Sequence, residues 1–320
     1  MNYLYIIGNG FDLHHDLDTH YRSFGLYLQE RYGAIYDQLL EYFGLPHVEE
    51  SDKAVDPLWK NFEHSLSLLD VDTVYDAYSG SLANPSAAGF RDRDWNTFAI
   101  DMEMVVDSLT TKLIKAFHEF ISKIDYSVIL ESKHLSLEDG AVYLSFNYTD
   151  TLERYYGISE DQITYIHGKA ADGDDIILGH GIDPDGFKEE VPQPPDGLSD
   201  EELEQWEEYM GDQYDYSFEL GKEALRDYFS SSFKNTQENI DAQADFFDGI
   251  KNVTQVFILG HSLSDVDLPY IEKLIASLAQ APIFTVSYLW DDERISHTQT
   301  LRNLGIQERK IHMIKMDELT

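Results

Sequence analysis

The chain opens with an apolar run that leads into a turn bracketed by two glycines. Residues 4–7 read Leu-Tyr-Ile-Ile, and residues 8–12 read Gly-Asn-Gly-Phe-Asp. An apolar run that ends in such a turn is typical of a buried parallel strand followed by a helix. Because Gly8 and Gly10 carry no β-carbon, a ligand's phosphates can approach the backbone N–H groups at the start of that helix. The segment predicts a nucleotide-binding turn, although its spacing differs from the G-x-G-x-x-G fingerprint.

Three later segments have the same form, an apolar run that ends in small or polar residues. They are residues 142–150, 163–168 and 256–265, which read VYLSFNYTD, ITYIHG and VFILGHSLSD. In open α/β sheets, ligands bind beyond the carboxyl ends of the parallel strands. We therefore expect the four strand ends to converge on one crevice.

Strand and helix patterns alternate late in the chain, which predicts an α/β, Rossmann-like fold with a mainly parallel sheet and right-handed crossovers. After the first strand, strands are predicted near 141–146, 163–166, 176–179, 253–259, 283–289 and 311–315. Helices are predicted near 97–124, 265–280 and 291–304. The expected helix ends are Thr19 and Ser264 as N-caps and Gly305 as a C-cap.

Residues 1–320 are predicted to form a single domain with two helical insertions, at 35–135 and at 186–245. The second insertion includes part of an acidic segment, 183–219, which holds fourteen carboxylates and one cation, Lys188. Its early part is interpreted as a solvated loop, with a solubilising surface favoured over a docking or lid role. Ser199, followed three residues later by Glu202, predicts that a helix begins there.

The charge of the chain argues against one class of function. With 23 basic and 60 acidic residues, the formal net charge is −37. Nucleic-acid binding depends on basic residues that neutralise phosphates, so a nucleic-acid partner is disfavoured. A nuclease-type toxin ranks third among the functions considered, because few cations are available near the strand ends: Lys169, Arg154 and Lys251.

The chain contains no cysteine, and no apolar run approaches the roughly 20 residues that span a bilayer. We expect a cytoplasmic protein without disulfides and without a membrane segment. No metal is expected either, because histidines and carboxylates do not occur at the spacing of a metal site.

Five motifs together resemble the bacterial abortive-infection AbiH family, over nearly the whole chain. They lie at residues 6–13, 59–63, 145–150, 166–168 and 259–267. A more distant resemblance is to sirtuin-like NAD-binding domains, which have a similar order of motifs and in which an asparagine and a histidine carry the NAD chemistry. The resemblance implies a sirtuin-like core and phage defence by NAD depletion, with Asn147 and His167 in those roles.

The chain departs from the sirtuin pattern at two points. A four-cysteine zinc module is impossible without cysteine. Thr149 stands where sirtuin-like domains often have an aspartate, and Asp150 follows it, so either residue is a candidate for ribose contact.

The predicted activity is hydrolysis of the N-glycosidic bond of NAD to nicotinamide and ADP-ribose. His167 would accept a proton, and Asn147 would hold the ribose hydroxyls or the attacking water. The proposed cofactor-binding residues are Gly8, Asn9, Gly10, Phe11, Asp12, Asp150, Gly260, His261 and Ser262. His180 is a second-tier contact, because residues 177–181 echo 258–262.

Simpler interpretations stand beside these. His167 would satisfy backbone groups at a strand end, Asn9 and Asp12 would form a helix-capping turn, and Trp59 would belong to the core. Glu63 is either a helix-surface residue or a contact that reaches the cleft. The alternative function is a sensor or interaction module that binds NAD or a related nucleotide without cleaving it. A phage-derived trigger and a homo-oligomer are compatible with both functions.

Overall fold

A computed structural model describes residues 2–51, 55–170, 175–188 and 192–319. The described residues contain a six-stranded sheet whose paired strands are all parallel. The strands are β1 Tyr3–Ile7, β2 Val142–Ser145, β3 Ile163–Tyr165, β4 Gln255–Leu259, β5 Ile283–Ser287 and β6 Ile311–Ile314. Their order, β3-β2-β1-β4-β5-β6, is the order of the Rossmann fold, which confirms the predicted fold class. The order reverses between β1 and β4, and such a switch point is where these folds bind ligands.

The helices follow the sheet strands and fill the long connections. They are α1 Asn9–His14, α2 Tyr21–Arg31, α3 Gly33–Phe43, α4 Pro57–Lys60, α5 Phe62–Ser65, α6 Val71–Ala77, α7 Thr97–Asp107, α8 Leu113–Ile121, α9 Thr151–Arg154, α10 Asp200–Asp212, α11 Tyr216–Ser231, α12 Thr236–Ala242, α13 Ala244–Gly249, α14 Leu268–Ser277 and α15 Asp291–Asn303. Short 3₁₀ turns cover Ser79–Ser81, Asp92–Asn96, Tyr126–Val128, Glu131–Lys133, Glu160–Gln162, Pro184–Phe187, Glu308–Lys310 and Met316–Leu319.

Both faces of the sheet are covered. Successive strand residues point to opposite faces, so Leu4 and Ile6 of β1 enter one core and Tyr5 and Ile7 the other. The first core is completed by α12, α13, α14 and α15, and the second by α1 and α9. Burial on both faces explains why the strands read as continuous apolar runs.

A third apolar core lies among the helices and contains no residue of the six strands. It joins α2–α8 to α11, and Trp59 is fully buried in it, as predicted. The ring of Phe98 packs so closely on α11 that a β-carbon at Gly221 would clash with it. The two regions predicted as separate insertions therefore pack on each other through α7 and α11.

Two predicted helix ends are confirmed. Ser199 forms a capping box with Glu202 at the start of α10. Gly305 follows α15 with a φ of +85°, the left-handed conformation that glycine adopts without strain. In the acidic segment, the Phe187 ring stacks on Phe229. Residues 189–191 of that segment lie outside the described residues.

Other local predictions were wrong. Residues 176–179 form no strand; only an isolated bridge joins His180 to Phe233, because Gly179 lies against the backbone of the segment that contains Phe233. The helix predicted at 97–124 is divided by a π-helical turn, Ser108–Lys112, where the Thr110 hydroxyl donates to the Val106 carbonyl.

The N-caps expected at Thr19 and Ser264 were also wrong. Thr19 does not cap α2, because its hydroxyl donates to Asn9 instead. Ser264 does not cap α14, which begins at Leu268, three residues later than that cap predicts; its hydroxyl donates to Asp267. In the described ranges, no helix is both long and apolar enough to cross a membrane.

Candidate active site at the carboxyl edge of the sheet

The segment that follows β2 distributes its side chains between two buried polar groups. Phe146 and Tyr148 contact His167, with ring centroids 5.3 and 6.1 Å apart. Thr149 donates a hydrogen bond to Asp12 on the other side. The predicted site residues are therefore brought to one sheet edge but divided between two clusters.

The first cluster is centred on Asp12 and is called the Asp12 cluster. The hydroxyls of Thr149 and Thr151 donate to its two carboxylate oxygens over 2.6 and 2.7 Å. Burial raises the pKa of Asp12 to about 6, although these hydrogen bonds oppose the rise. The Asp12 carboxyl is thus satisfied by protein groups and is not oriented toward solvent.

Asn147 lies beside this cluster and is 6% exposed. Its Nδ2 lies close enough to the Asp12 carboxylate to lower the pKa of Asp12, although it does not meet strict hydrogen-bond geometry, and its Oδ1 has no hydrogen-bond partner among the described residues. A buried acceptor without a partner is costly, so it marks a place where a ligand or water can add a contact. Asn147 is thus a predicted site residue with free acceptor capacity.

The second group is the ionic network, defined here as Glu63, Lys234 and Asp267. Lys234 Nζ lies 2.7 Å from Glu63 Oε2 and 3.3 Å from Asp267 Oδ1. The Tyr21 hydroxyl donates to Glu63 Oε1 over 2.6 Å, and the Tyr148 hydroxyl oxygen lies 3.2 Å from the same atom. Of the two interpretations of Glu63, a helix-surface residue or a contact that reaches the site, these contacts agree with the second.

His167 borders the ionic network and is 2% exposed. Its Nε2 lies 3.7 Å from Asp267 Oδ1 and has no hydrogen-bond partner among the described residues. Burial holds the pKa of His167 well below its usual range, and the nearby Lys234 ammonium lowers it further, while Asp267 opposes both. The imidazole is therefore neutral near pH 7 and can accept a proton.

His261 meets the other oxygen of the same carboxylate. Its Nε2 lies 3.7 Å from Asp267 Oδ2, and its Nδ1 accepts a hydrogen bond from the Leu263 amide over 3.0 Å. The neutral ring must then carry its proton on Nε2, which prevents that nitrogen from binding a metal. Among the described residues, no group of histidines and carboxylates is arranged to hold a metal ion.

The loop between β4 and α14 contains a residue with a strained backbone. Leu263 has a φ of +53°, which a residue with a side chain rarely adopts. Such strain is often found at functional sites, where the surrounding structure maintains it. Here the strained residue supplies the amide that fixes the tautomer of His261.

The glycines of the first turn have a structural explanation. A β-carbon on Gly10 would lie 2.8 Å from the Gly260 Cα, and one on Gly8 would lie 2.5 Å from the His261 Cα. The amides of Gly8 and Gly10 donate to the carbonyls of Leu259 and Gly260. The turn is thus packed against the end of β4, with two of its amides already satisfied. Phosphate contact there stays a prediction.

The remaining predicted residues lie around these groups. Asn9 is bonded to Thr19, Phe11 is buried beneath the turn, Ser262 is exposed, and His180 is buried. The cations considered for a nuclease are all paired: Arg154 with Asp150, Lys169 with Glu153 and Glu160, and Lys251 with Asp248. Ion pairing leaves these cations with little positive field for a nucleic acid.

The two proposed catalytic side chains are covered in this structure, since His167 is 2% and Asn147 6% exposed. One pocket of about 390 Å³ lies along α15 beside Ile295 and another of about 170 Å³ beside Phe229, and neither of these two is lined by a predicted site residue. A dinucleotide would therefore reach His167 or Asn147 only after the covering side chains move.

Lys234 and the role of Asp267 escaped the sequence analysis. Lys234 lies in a predicted insertion with no motif around it, and Asp267 was assigned to the first turn of a helix. The late Asp-Val-Asp of residues 265–267 was the available signal, since it ends the motif that contains His261.

The fold and the site define an α/β protein of the Rossmann type, with a buried histidine–carboxylate pair at the switch-point edge of its sheet. A family model described as bacteriophage abortive infection AbiH matches residues 4–288, so the chain belongs to the AbiH family. The family implies a role in abortive infection by bacteriophage. No curated protein and no solved structure matches the chain, and the similarity to sirtuin-like domains stays a prediction.

Proposed function

We propose that this protein is an abortive-infection effector that hydrolyses the N-glycosidic bond of NAD, with His167 as the general base. The family supports the defence role. The observation that carries the chemical part is the neutral, buried imidazole of His167, 3.7 Å from the Asp267 carboxylate at the switch-point edge. Ligands of Rossmann-type sheets bind at that edge.

In the proposed reaction, the bond between ribose C1′ and the pyridinium nitrogen breaks. Nicotinamide leaves with the bonding electron pair as a neutral molecule, so the leaving group needs no acid. Water adds to C1′ and loses one proton, which His167 Nε2 accepts, and ADP-ribose is formed. Asp267 stabilises the resulting imidazolium, as a carboxylate does beside a catalytic histidine.

Asn147 is proposed to hold the ribose or the attacking water through its Oδ1, which has no hydrogen-bond partner among the described residues. The closed site agrees with an effector that is silent until infection, because a constitutively open NAD hydrolase would harm its own cell. We propose NAD or a related nucleotide as substrate and a phage-derived signal as the trigger of opening.

A second candidate is a module that binds a nucleotide, or a partner, without cleavage. The observation that favours it is the burial of His167, which holds the pKa of this imidazole well below its usual range and makes it a weak base. A sensor would keep the fold and the family role but would leave NAD intact.

The test uses purified protein, NAD, and filtered lysate from infected or uninfected cells, with nicotinamide and ADP-ribose measured by mass spectrometry. We expect release of both products with infected lysate, and loss of release in His167→Gln and Asn147→Ala. His312→Gln is the matched control, because His312 is exposed on β6. If NAD stays intact in every sample, although the same protein blocks phage in cells, the non-cleaving module is favoured.

A further inference from the structure

Lys234 is a buried cation that the proposed chemistry does not yet use. Its side chain is fully buried between Glu63 and Asp267. Lysine is rarely buried unless it is paired, and here it is paired with two carboxylates. The three residues come from different parts of the chain: α5, the connection between α11 and α12, and the end of the β4–α14 connection.

The backbone around Lys234 is held by the repeated Gly-His motif of residues 179–180. The His180 amide donates to the Ser232 carbonyl over 2.9 Å, and the Lys234 amide donates to the His180 carbonyl over 2.8 Å. Gly179 lies so close to Ser232 that no side chain would fit there. The motif thus seats the segment that carries the ammonium.

The segment that contains Gly179 is also tied to His167. The Ile177 amide donates to the His167 carbonyl over 2.9 Å, and the Tyr148 hydroxyl donates to the Ile177 carbonyl over 2.8 Å. Movement of the segment that contains Lys234 would therefore shift the backbone of His167 through these hydrogen bonds.

The charges at His167 act in opposite directions. Asp267 favours an imidazolium on His167, whereas the Lys234 ammonium and the second imidazole, His261, oppose it. The rings of Tyr148 and Tyr270 also contact the imidazole, and a backbone hydrogen bond with Phe146 raises its pKa. Burial is the largest cause of the low pKa of His167, and the balance between the Asp267 carboxylate and the Lys234 ammonium adds to it or offsets it.

We propose that Lys234 is a positioning residue that couples closure of the site to the basicity of His167. While it is seated, its ammonium links α5 and the α11–α12 connection to Asp267 and disfavours a proton on His167. When it withdraws, the same movement opens the site and leaves Asp267 to stabilise the imidazolium. This inference rests on the proposed function, because it describes the resting state of the proposed hydrolase. Its test does not require NAD cleavage.

The test compares four variants with the wild-type protein. Lys234→Met removes the charge, and Lys234→Arg keeps it. Lys234→Met combined with Glu63→Gln removes one charge of each sign, so the buried net charge is unchanged. Lys188→Met is the control, since Lys188 is exposed and pairs with Asp185.

Two properties are measured: the titration midpoint of the His167 imidazole by NMR, assigned with His167→Gln, and amide hydrogen exchange in α5 and α12. We expect Lys234→Met and the double variant to raise the midpoint and to accelerate exchange about tenfold or more, as for local opening. Lys234→Arg should leave the midpoint near wild type, because the charge is kept, and Lys188→Met should leave both properties near wild type. A purely structural lysine would change the exchange but not the midpoint.

An unchanged His167 midpoint in the folded double variant would overturn the proposal. If Lys234→Met alone does not fold, the double variant provides the test. A raised midpoint with faster exchange, but without NAD cleavage by any variant or by the triggered wild type, would keep the Lys234 coupling and reject the hydrolase. If the wild type cleaves NAD but the His167 midpoint is unchanged in the variants, the hydrolase is supported and the Lys234 coupling is rejected.

Discussion

The ammonium of Lys234 lies 2.7 Å from the carboxylate of Glu63, which joins two residues 171 positions apart in the chain. With Asp267 the pair makes a buried ionic network beside the histidine proposed as base. Such networks contribute little net stability when complete, but they are costly to break.

Lys234→Met should therefore destabilise the fold by about 3–5 kcal/mol, because Glu63 and Asp267, which are 17% and 14% exposed, would be left largely buried without their cation. The added Glu63→Gln substitution should recover part of this loss. Urea unfolding at pH 7 measures both changes, and Lys188→Met should stay within about 0.5 kcal/mol of wild type. An equally small loss in Lys234→Met would show that the pair is solvated and not buried.

Asp12 predicts a pH dependence of stability. Burial raises its pKa from 3.8 to about 6, so the folded protein binds the proton more tightly than the unfolded chain does. Its contribution is fully present below about pH 4 and is lost as the pH rises to about 6, which amounts to roughly 3 kcal/mol.

Unfolding free energies measured from pH 4 to pH 7 test this, with Asp12→Asn as the comparison. The difference between wild type and variant should change across that range and then level off above it. A constant difference would mean that Asp12 titrates normally.

Alanine substitutions at a crowded glycine and at an open glycine should have opposite effects on stability. Gly10→Ala places a methyl group about 2.8 Å from the Gly260 backbone and should destabilise the protein by about 1–3 kcal/mol. Gly33→Ala meets open space within α3 and should stabilise it by about 0.4–1 kcal/mol. Thermal unfolding of both variants checks the sign, and a tolerated Gly10→Ala would contradict the close contact between the two loops.

The ring of His261 should be neutral at pH 6, with its proton on Nε2. Burial lowers its pKa to about 4, and the Leu263 amide occupies Nδ1. Nitrogen-15 NMR of labelled histidine distinguishes the tautomers and the imidazolium. A protonated Nδ1 at pH 6 would mean that the Leu263 amide does not donate to this ring.

The fold follows from the sequence most directly where a local pattern decides the structure. Apolar strand patterns predicted all six strands of the sheet in the described chain. The polar residues that end these runs placed His167, Asn147 and Gly260 at the same sheet edge. The strand predicted at residues 176–179 is absent, because the apolar residues there pack into the helical core and do not pair in the sheet.

Lys234 could not be predicted for a different reason. Its partners are set by the way the α11–α12 connection docks on His180, and no local spacing encodes that contact. Likewise, the glycines of the first turn suggested room for a ligand, whereas the space they leave is taken by the backbone of residues 260–261. Sequence patterns show that close approach is needed but not which group approaches.

The central claim is that His167 supports NAD cleavage during infection. It is tested most directly by intracellular NAD, measured through a phage infection in cells that express the wild-type protein or His167→Gln at equal levels. We predict that NAD falls sharply in infected wild-type cells, and in neither uninfected cells nor infected variant cells. Protection from phage with NAD unchanged in wild-type cells would contradict the claim.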